Sequence, residues 1–266
     1  MAGRLEGKAA IVVGAGQTPG ETIGNGRAIA IRFAREGARV LCVDRDGARA
    51  EETAAMIAAE GGEASAFQAD ITKAAEAAAL VAAGLERFGA LDILVNNVGI
   101  GGRDGPAHRL EEEALDRIWS VNLKGMWLVT KAALPVMREA GGGAIVNISS
   151  LASIAGATQL AYEVTKAGVN RLTTHVASGN AKAGVRCNAI LMGFLDTPMA
   201  IEGIARASGR STAEVRAQRD AMVPLKGKMG TAWDTANAAL FLASDEAAFI
   251  TGALLPLDGG MATRVG

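Results

Sequence analysis

The stretch Ala9-Ala10-Ile11-Val12-Val13-Gly14-Ala15-Gly16-Gln17-Thr18-Pro19-Gly20-Glu21-Thr22-Ile23-Gly24-Asn25-Gly26-Arg27-Ala28 carries the fold decision. Ala9 to Val13 is a short, wholly apolar run rich in β-branched residues, which suits a strand buried on both faces. A glycine-rich turn follows, and from Arg27 to Arg35 the apolar residues recur at helical spacing. Glycines in such a turn let the backbone approach a phosphate. A helix opening at Gly24 or Gly26 aims its N–H groups and its positive dipole end at that phosphate.

The same alternation continues outward. Strand-like runs occur at Val40 to Val43, Ala64 to Gln68, Ile93 to Val95, Ala144 to Ile148, Val185 to Ile190 and Ala253 to Pro256. Helix-like segments lie between them at residues 48–59, 74–87, 115–137, 164–182 and 235–242. Strands that are apolar on both faces and alternate with helices imply a parallel sheet covered on each side. The fold class is α/β, a single-domain doubly wound parallel sheet of Rossmann type spanning residues 1–266, with helices on both faces. One compositional break, Thr197 to Lys228, is rich in Arg and Ala. It reads as a pair of surface helices or, from its place beside the carboxyl edge of the sheet, as a substrate lid.

Composition narrows the function. The net charge is -1, which leaves no footprint for nucleic acid or an anionic membrane. No apolar run approaches the roughly 18 residues that would span a bilayer, and the N-terminus lacks an apolar h-region, so a cytoplasmic location is expected. Cys42 and Cys187 sit in strand-like runs without metal-ligand spacing and read as small buried hydrophobes. His108 and His175 pair with no carboxylate motif, so neither a metal site nor a hydrolase triad is expected.

The second strand ends in Asp44, twenty residues after Gly24. A carboxylate there accepts hydrogen bonds from the adenosine ribose hydroxyls and repels a 2′-phosphate, so NAD is favoured over NADP. Arg45 and Arg27 are the nearby groups that could neutralise such a phosphate.

Tyr162 is the only tyrosine of the chain. It lies four residues before Lys166 and twelve after Ser150. Positions i and i+4 share a helix face, so the Lys166 ammonium can stand near the Tyr162 phenol and lower its pKa. The result is a proton donor for a carbonyl or an acceptor for an alcohol.

With the glycine turn, this spacing resembles the short-chain dehydrogenase/reductase family over nearly the whole chain. The resemblance implies the following roles. Gly14, Gly24 and Gly26 form the cofactor turn, Asp70 and Ile71 contact adenine, and Asn97 and Gly99 of Asn96-Asn97-Val98-Gly99 line the cofactor. Gly193 and Thr197 belong to the segment that holds the nicotinamide carboxamide, and Tyr162 and Lys166 also touch the cofactor. Asn122, in Val121-Asn122-Leu123-Lys124-Gly125, matches the asparagine that holds a water linking Lys166 to solvent. Ser150 matches the serine that fixes the substrate oxygen. The family's usual serine-to-tyrosine spacing, counted back from Tyr162, selects Ser149 instead, and that alternative stays open. Helix packing around Trp119 and Trp127 into a homotetramer is likewise implied.

The chain departs from the family in four places, one of them Val98 where an alanine is usual. Val13 replaces a threonine, additional residues separate Gly14 from Gly24, and Met192 stands where a proline is usual. Enoyl reductases of the superfamily also carry an expanded glycine loop, but their tyrosine and lysine are spaced more widely than four residues. The expected activity is therefore interconversion of a secondary alcohol and a ketone, with Tyr162 as acid/base, Lys166 holding it, and Ser150 fixing the oxygen. The substrate pocket should draw on Leu151, Gln159, Leu160, Met192, Phe194 and Met199, which argues for a small or medium apolar alcohol or ketone. The alternative is a cofactor-binding sensor or scaffold that has lost turnover; the complete set of Asn122, Ser150, Tyr162 and Lys166 speaks against it.

Overall fold

The computed structural model describes residues 3–156 and 158–263. Its strands are β1 (Ala9–Val13), β2 (Arg39–Asp44), β3 (Ala64–Gln68), β4 (Ile93–Asn96), β5 (Gly143–Ser150), β6 (Val185–Met192), β7 (Leu195–Asp196), β8 (Gly230–Thr231) and β9 (Leu254–Leu257). The helices are α1 (Asn25–Arg35), α2 (Gly47–Ala59), α3 (Ala74–Phe88), α4 (Glu112–Trp119), α5 (Met126–Glu139), α6 (Leu160–Asn180), α7 (Pro198–Ser208), α8 (Thr212–Met222) and α9 (Ala232–Ala243). Seven strands form one sheet in the order β3-β2-β1-β4-β5-β6-β9, and every pairing is parallel. The expected doubly wound α/β sheet is what forms.

Strand alternation explains the two cores. Ala10 and Val12 of β1, Val40 and Cys42 of β2, and Ile148 of β5 point to the face covered by α1 and α9. Ala9, Ile11 and Val13, with Leu41 and Val43, point to the face covered by α3, α5 and α6. Both faces are dry, which is why these strands are apolar throughout. The strand order reverses between β1 and β4, so a cleft opens at the carboxyl ends of these strands.

Two differences from the sequence expectation matter for the site. The helix expected over 115–137 is interrupted: α4 and α5 are joined by a π-helical turn, Ser120–Gly125, centred on Asn122. Such a widened turn accompanies functional sites more often than chance. The region 197–228 contains α7 and α8, framed by the short parallel pair β7 and β8, with a small core of its own around Ile201, Val215, Val223 and Met229. No helix among the described residues is long and apolar enough to cross a membrane.

Candidate active site

The glycine turn is shaped by close approach. Gly14 adopts φ +79°, a left-handed conformation that disfavours a side chain, and its carbonyl oxygen accepts a hydrogen bond from the Asn97 side-chain amide at 2.9 Å. A Cβ at Gly26 would overlap that same carbonyl, so helix α1 can pack this tightly against the turn only with glycine. The loop between Gly14 and Gly24 is closed by Gln17, whose Oε1 accepts from the Gly24 amide at 2.8 Å. Asn25, in the first turn of α1, leaves its buried Oδ1 without a partner among the described residues. A backbone cradle free of side chains and an orphaned polar atom beside it fit a dinucleotide phosphate and ribose.

Asp44 ends β2 against this turn. Its Oδ2 accepts from the Gly16 amide at 3.0 Å and its Oδ1 from the Asp46 amide at 3.0 Å. Arg27, one of the cations that could balance a 2′-phosphate, is buried and committed elsewhere: it donates to Glu52 Oε1 at 3.0 Å and to Thr53 Oγ1 at 3.0 Å. Arg45 is exposed. Asp70 opposes burial by accepting from the Thr72 hydroxyl and amide, and the net effect holds its carboxyl below the ordinary value. Ile71 is buried beside Gly125 of the π-helical turn, where a Cβ would come within 2.8 Å of its Cδ1.

The catalytic candidates converge at the ends of β5 and α6. The Ser150 hydroxyl stands near enough to the Tyr162 phenol to favour its ionised form, and it accepts from the Ala152 amide at 3.1 Å. Ser149 faces the opposite side of β5, fully buried, with its hydroxyl donating to Asn170 Oδ1 at 2.7 Å. Strand alternation thus separates the two serines, and only Ser150 meets Tyr162. Lys166 Nζ lies 5.6 Å from the centre of the Tyr162 ring and donates to the Ile148 carbonyl at 2.8 Å. Burial pushes the Tyr162 phenol up, partly offset by Ser150, and pulls the Lys166 ammonium down to about 8. Gly99 makes room for the lysine, since a Cβ there would stand 3.1 Å from Nζ.

Asn122 does not reach Lys166 with its side chain. Its Oδ1 accepts from the Ile100 amide at 2.7 Å and its Nδ2 donates to the Ile100 carbonyl at 2.9 Å, so the amide clamps the loop that follows β4. Glu163, the residue after Tyr162, accepts through its Oε1 from the Thr158 and Gln159 amides at 3.1 Å each.

The residues read as a substrate pocket are divided. Leu151 and Leu160 are half-buried beside Ser150 and Tyr162 in sequence, and Gln159 is exposed, its amide nitrogen 3.9 Å from where a Cβ at Gly101 would lie. Met192 pairs with Ser150 across the sheet, yet its sulfur accepts from Asn25 Nδ2 at 3.3 Å, beside the glycine turn. Phe194 packs into the small core of α7 and α8, with the Arg219 guanidinium 3.9 Å over its ring. A cation therefore stands against a residue read as part of an apolar wall. Met199, on α7, is 56% exposed. Gly193 lies where a Cβ would meet the Asp258 backbone at 2.7 Å, and Thr197 is buried at the start of α7.

The extra residues of the glycine loop make a contact that the sequence did not announce. Arg216 of α8 pairs with Glu21 of that loop at 2.7 Å and with Asp196 of β7 at 3.1 Å, and a Cβ at Gly20 would come within 2.8 Å of Pro198. The insertion thus leans on α7 and α8. Asp104, in the loop after β4 and seven residues beyond Asn97, belongs to no motif of the sequence yet reaches the start of α6.

The chain is similar to known proteins in sequence and fold. A family model described as enoyl-(acyl carrier protein) reductase matches residues 21–262. The 2-(R)-hydroxypropyl-CoM dehydrogenase of Xanthobacter autotrophicus is 39% identical over 244 residues, covering 90% of this chain and 95% of its own. The (3R)-3-hydroxyacyl-CoA dehydrogenase of Mus musculus is 37% identical over 268 residues, covering 97% of each. A crystal structure of a candidate short-chain dehydrogenase/reductase from Burkholderia xenovorans superposes with a TM-score of 0.91 at 44% identity, covering 100% of both chains. Fold, glycine turn and sequence similarity agree: the chain belongs to the short-chain dehydrogenase/reductase family of oxidoreductases.

Proposed function

We propose that the protein interconverts a secondary alcohol and a ketone, with NAD as the preferred cofactor and Tyr162 as acid/base. The observation that carries this reading is the meeting of Ser150, Tyr162 and Lys166 at the end of β5, with the Lys166 ammonium buried and Tyr162 half-buried. A bound nicotinamide supplies the hydride acceptor or donor. The chain supplies the rest. Tyr162 gives its hydroxyl proton to the carbonyl oxygen in reduction or takes the alcohol proton in oxidation. Ser150 donates to the same oxygen and steadies developing negative charge. Lys166 favours the phenolate. The description of the matching model as an enoyl reductase is outweighed by the four-residue spacing of tyrosine and lysine and by relatives whose names denote dehydrogenases of hydroxy compounds.

NAD rests on Asp44, which retains acceptor capacity at the end of β2, and on Arg27 being held by Glu52. Asp44→Ala is expected to lower kcat/KM with NAD⁺ about tenfold or more, the loss of hydrogen bonds to a charged group, and to narrow the gap to NADP⁺. Initial rates with the two cofactors check this; an unchanged preference would remove Asp44 from the account.

We also assign α7 and α8 as a lid and the glycine-loop insertion as its contact on the cofactor side. Arg216 joins them through an exposed ion pair with Glu21 and a part-buried one with Asp196, each of modest worth. Arg216→Ala is therefore expected to raise the cofactor KM by about twofold to fivefold with little change in kcat. Steady-state titration of cofactor reads the effect. The half-exposed indoles of Trp119 and Trp127 support a subunit interface on that face and assembly as a homotetramer.

A further inference from the structure

We propose that Asp104 is a positioning residue for proton transfer: it caps the N-terminus of α6 from another segment and holds Tyr162 against Ser150. This rests on the reading of Tyr162 as the acid/base.

Helix α6 begins without a cap of its own, since Gln159 at the capping position makes no side-chain hydrogen bond to it. Its first amides are unsatisfied within the helix and need acceptors. Asp104 provides them. Its Oδ2 accepts from the Tyr162 amide at 2.8 Å, and its Oδ1 accepts from the Ala161 amide at 3.1 Å and from the Gly105 amide at 2.8 Å. The catalytic tyrosine is therefore tied by its own backbone to a carboxylate 58 positions away. A negative group at a helix N-terminus is also favoured by the dipole.

The loop that delivers Asp104 is itself held. Asn122 clamps Ile100 through both amide and carbonyl, Arg117 donates to the carbonyls of Gly101 and Gly102 at 3.3 and 2.9 Å, and the Leu160 amide donates to the Gly105 carbonyl at 3.1 Å. Immediately before Asp104, Arg103 adopts φ 56°, a left-handed conformation uncommon for a residue with a side chain. Such outliers persist where surrounding contacts over-determine them. The same loop begins at Gly99 under the Lys166 ammonium and ends its reach at the Tyr162 amide. One segment thus sets the position of both members of the acid/base pair, and the π-helical turn anchors that segment.

A carboxylate suits the task better than an amide, because both of its oxygens accept, whereas asparagine offers one acceptor oxygen and turns an N–H₂ toward the other amide. The expected order of kcat is wild type, then Asp104→Asn, then Asp104→Ala. The test is steady-state kinetics at saturating cofactor on a secondary alcohol that the wild type oxidises, beside NADH titration of each variant. Small displacements of a reacting group are costly. Asp104→Ala is expected to lose about tenfold in kcat and Asp104→Asn about threefold, with NADH affinity within about twofold of wild type. Because Tyr162 is the only tyrosine, phenolate absorbance during alkaline titration reports it alone. Its midpoint should fall toward the ordinary tyrosine value in Asp104→Ala as the loosened helix end admits water.

Wild-type kcat in Asp104→Ala overturns the proposal, as does a fall of kcat and NADH affinity together in both variants, which would make the loop a support of the whole cleft. If Asp104→Ala does not fold, Asp104→Asn decides by the same two readings. If the wild type turns over no alcohol or ketone, the acid/base reading has failed; the tyrosine titration then judges Asp104 alone, and an unmoved midpoint overturns its positioning of Tyr162.

Discussion

Tyr162→Phe is expected to lower turnover by about a thousandfold or more while leaving NADH binding intact. The substitution removes one hydroxyl and keeps the ring, so the packing of α6 against β5 and the contact with Lys166 survive. What is lost is the hydroxyl proposed to exchange a proton with the substrate oxygen beside Ser150. No second tyrosine exists to replace it, and Ser149 is turned away into a bond with Asn170. Rates measured at saturating cofactor, beside NADH titration, separate chemistry from binding. Retention of more than about a tenth of the wild-type rate would assign the proton to another group.

Lys166→Met carries the second large effect, a fall in kcat of about a hundredfold. The ammonium is buried, its described hydrogen bond is to the Ile148 carbonyl, and the Tyr162 ring lies 5.6 Å away. Removing it leaves the phenol in place without the charge that favours phenolate, so the pH at which oxidation reaches half its maximum should rise. The same burial predicts a stability signature with a definite sign. Burial pulls the Lys166 ammonium down from its ordinary 10.5 to about 8 in the folded protein. Between those values the unfolded chain binds the proton and the folded chain does not, so the Lys166 contribution makes stability rise with pH across that window. Below about 8 the full cost of the buried charge is present. Melting temperatures of wild type and Lys166→Met across the window should show a steeper upward slope in the wild type. Parallel curves would mean that Lys166 is not desolvated as described.

Much of this site was legible in the sequence because its signals are local. The run Ala9–Val13 into glycines needs neighbours only a few residues away, and the i, i+4 placement of Tyr162 and Lys166 is fixed by one helix. Counting alone leaves Ser149 and Ser150 open, since adjacent strand residues face opposite sides and one shifted residue exchanges them; the Ser149 bond to Asn170 favours Ser150 as the serine beside Tyr162. Met192 and Phe194 sit at the expected strand end, but their side chains are taken by Asn25 and by the core of α7 and α8. That depends on how the insertion and α8 dock. Arg216 with Glu21, and Asp104 with Tyr162, are contacts between segments far apart in the chain, where a lone charged residue carries no local period or motif to betray its partner.

The most direct test is to follow reduced-nicotinamide absorbance as purified protein meets NAD⁺ or NADP⁺ with a panel of secondary alcohols, and NADH or NADPH with the matching ketones. The account predicts turnover of at least one alcohol–ketone pair, faster with NAD than with NADP. NADH binding without turnover of any pair would contradict it and point to a sensor or scaffold that keeps the cofactor cradle without its chemistry.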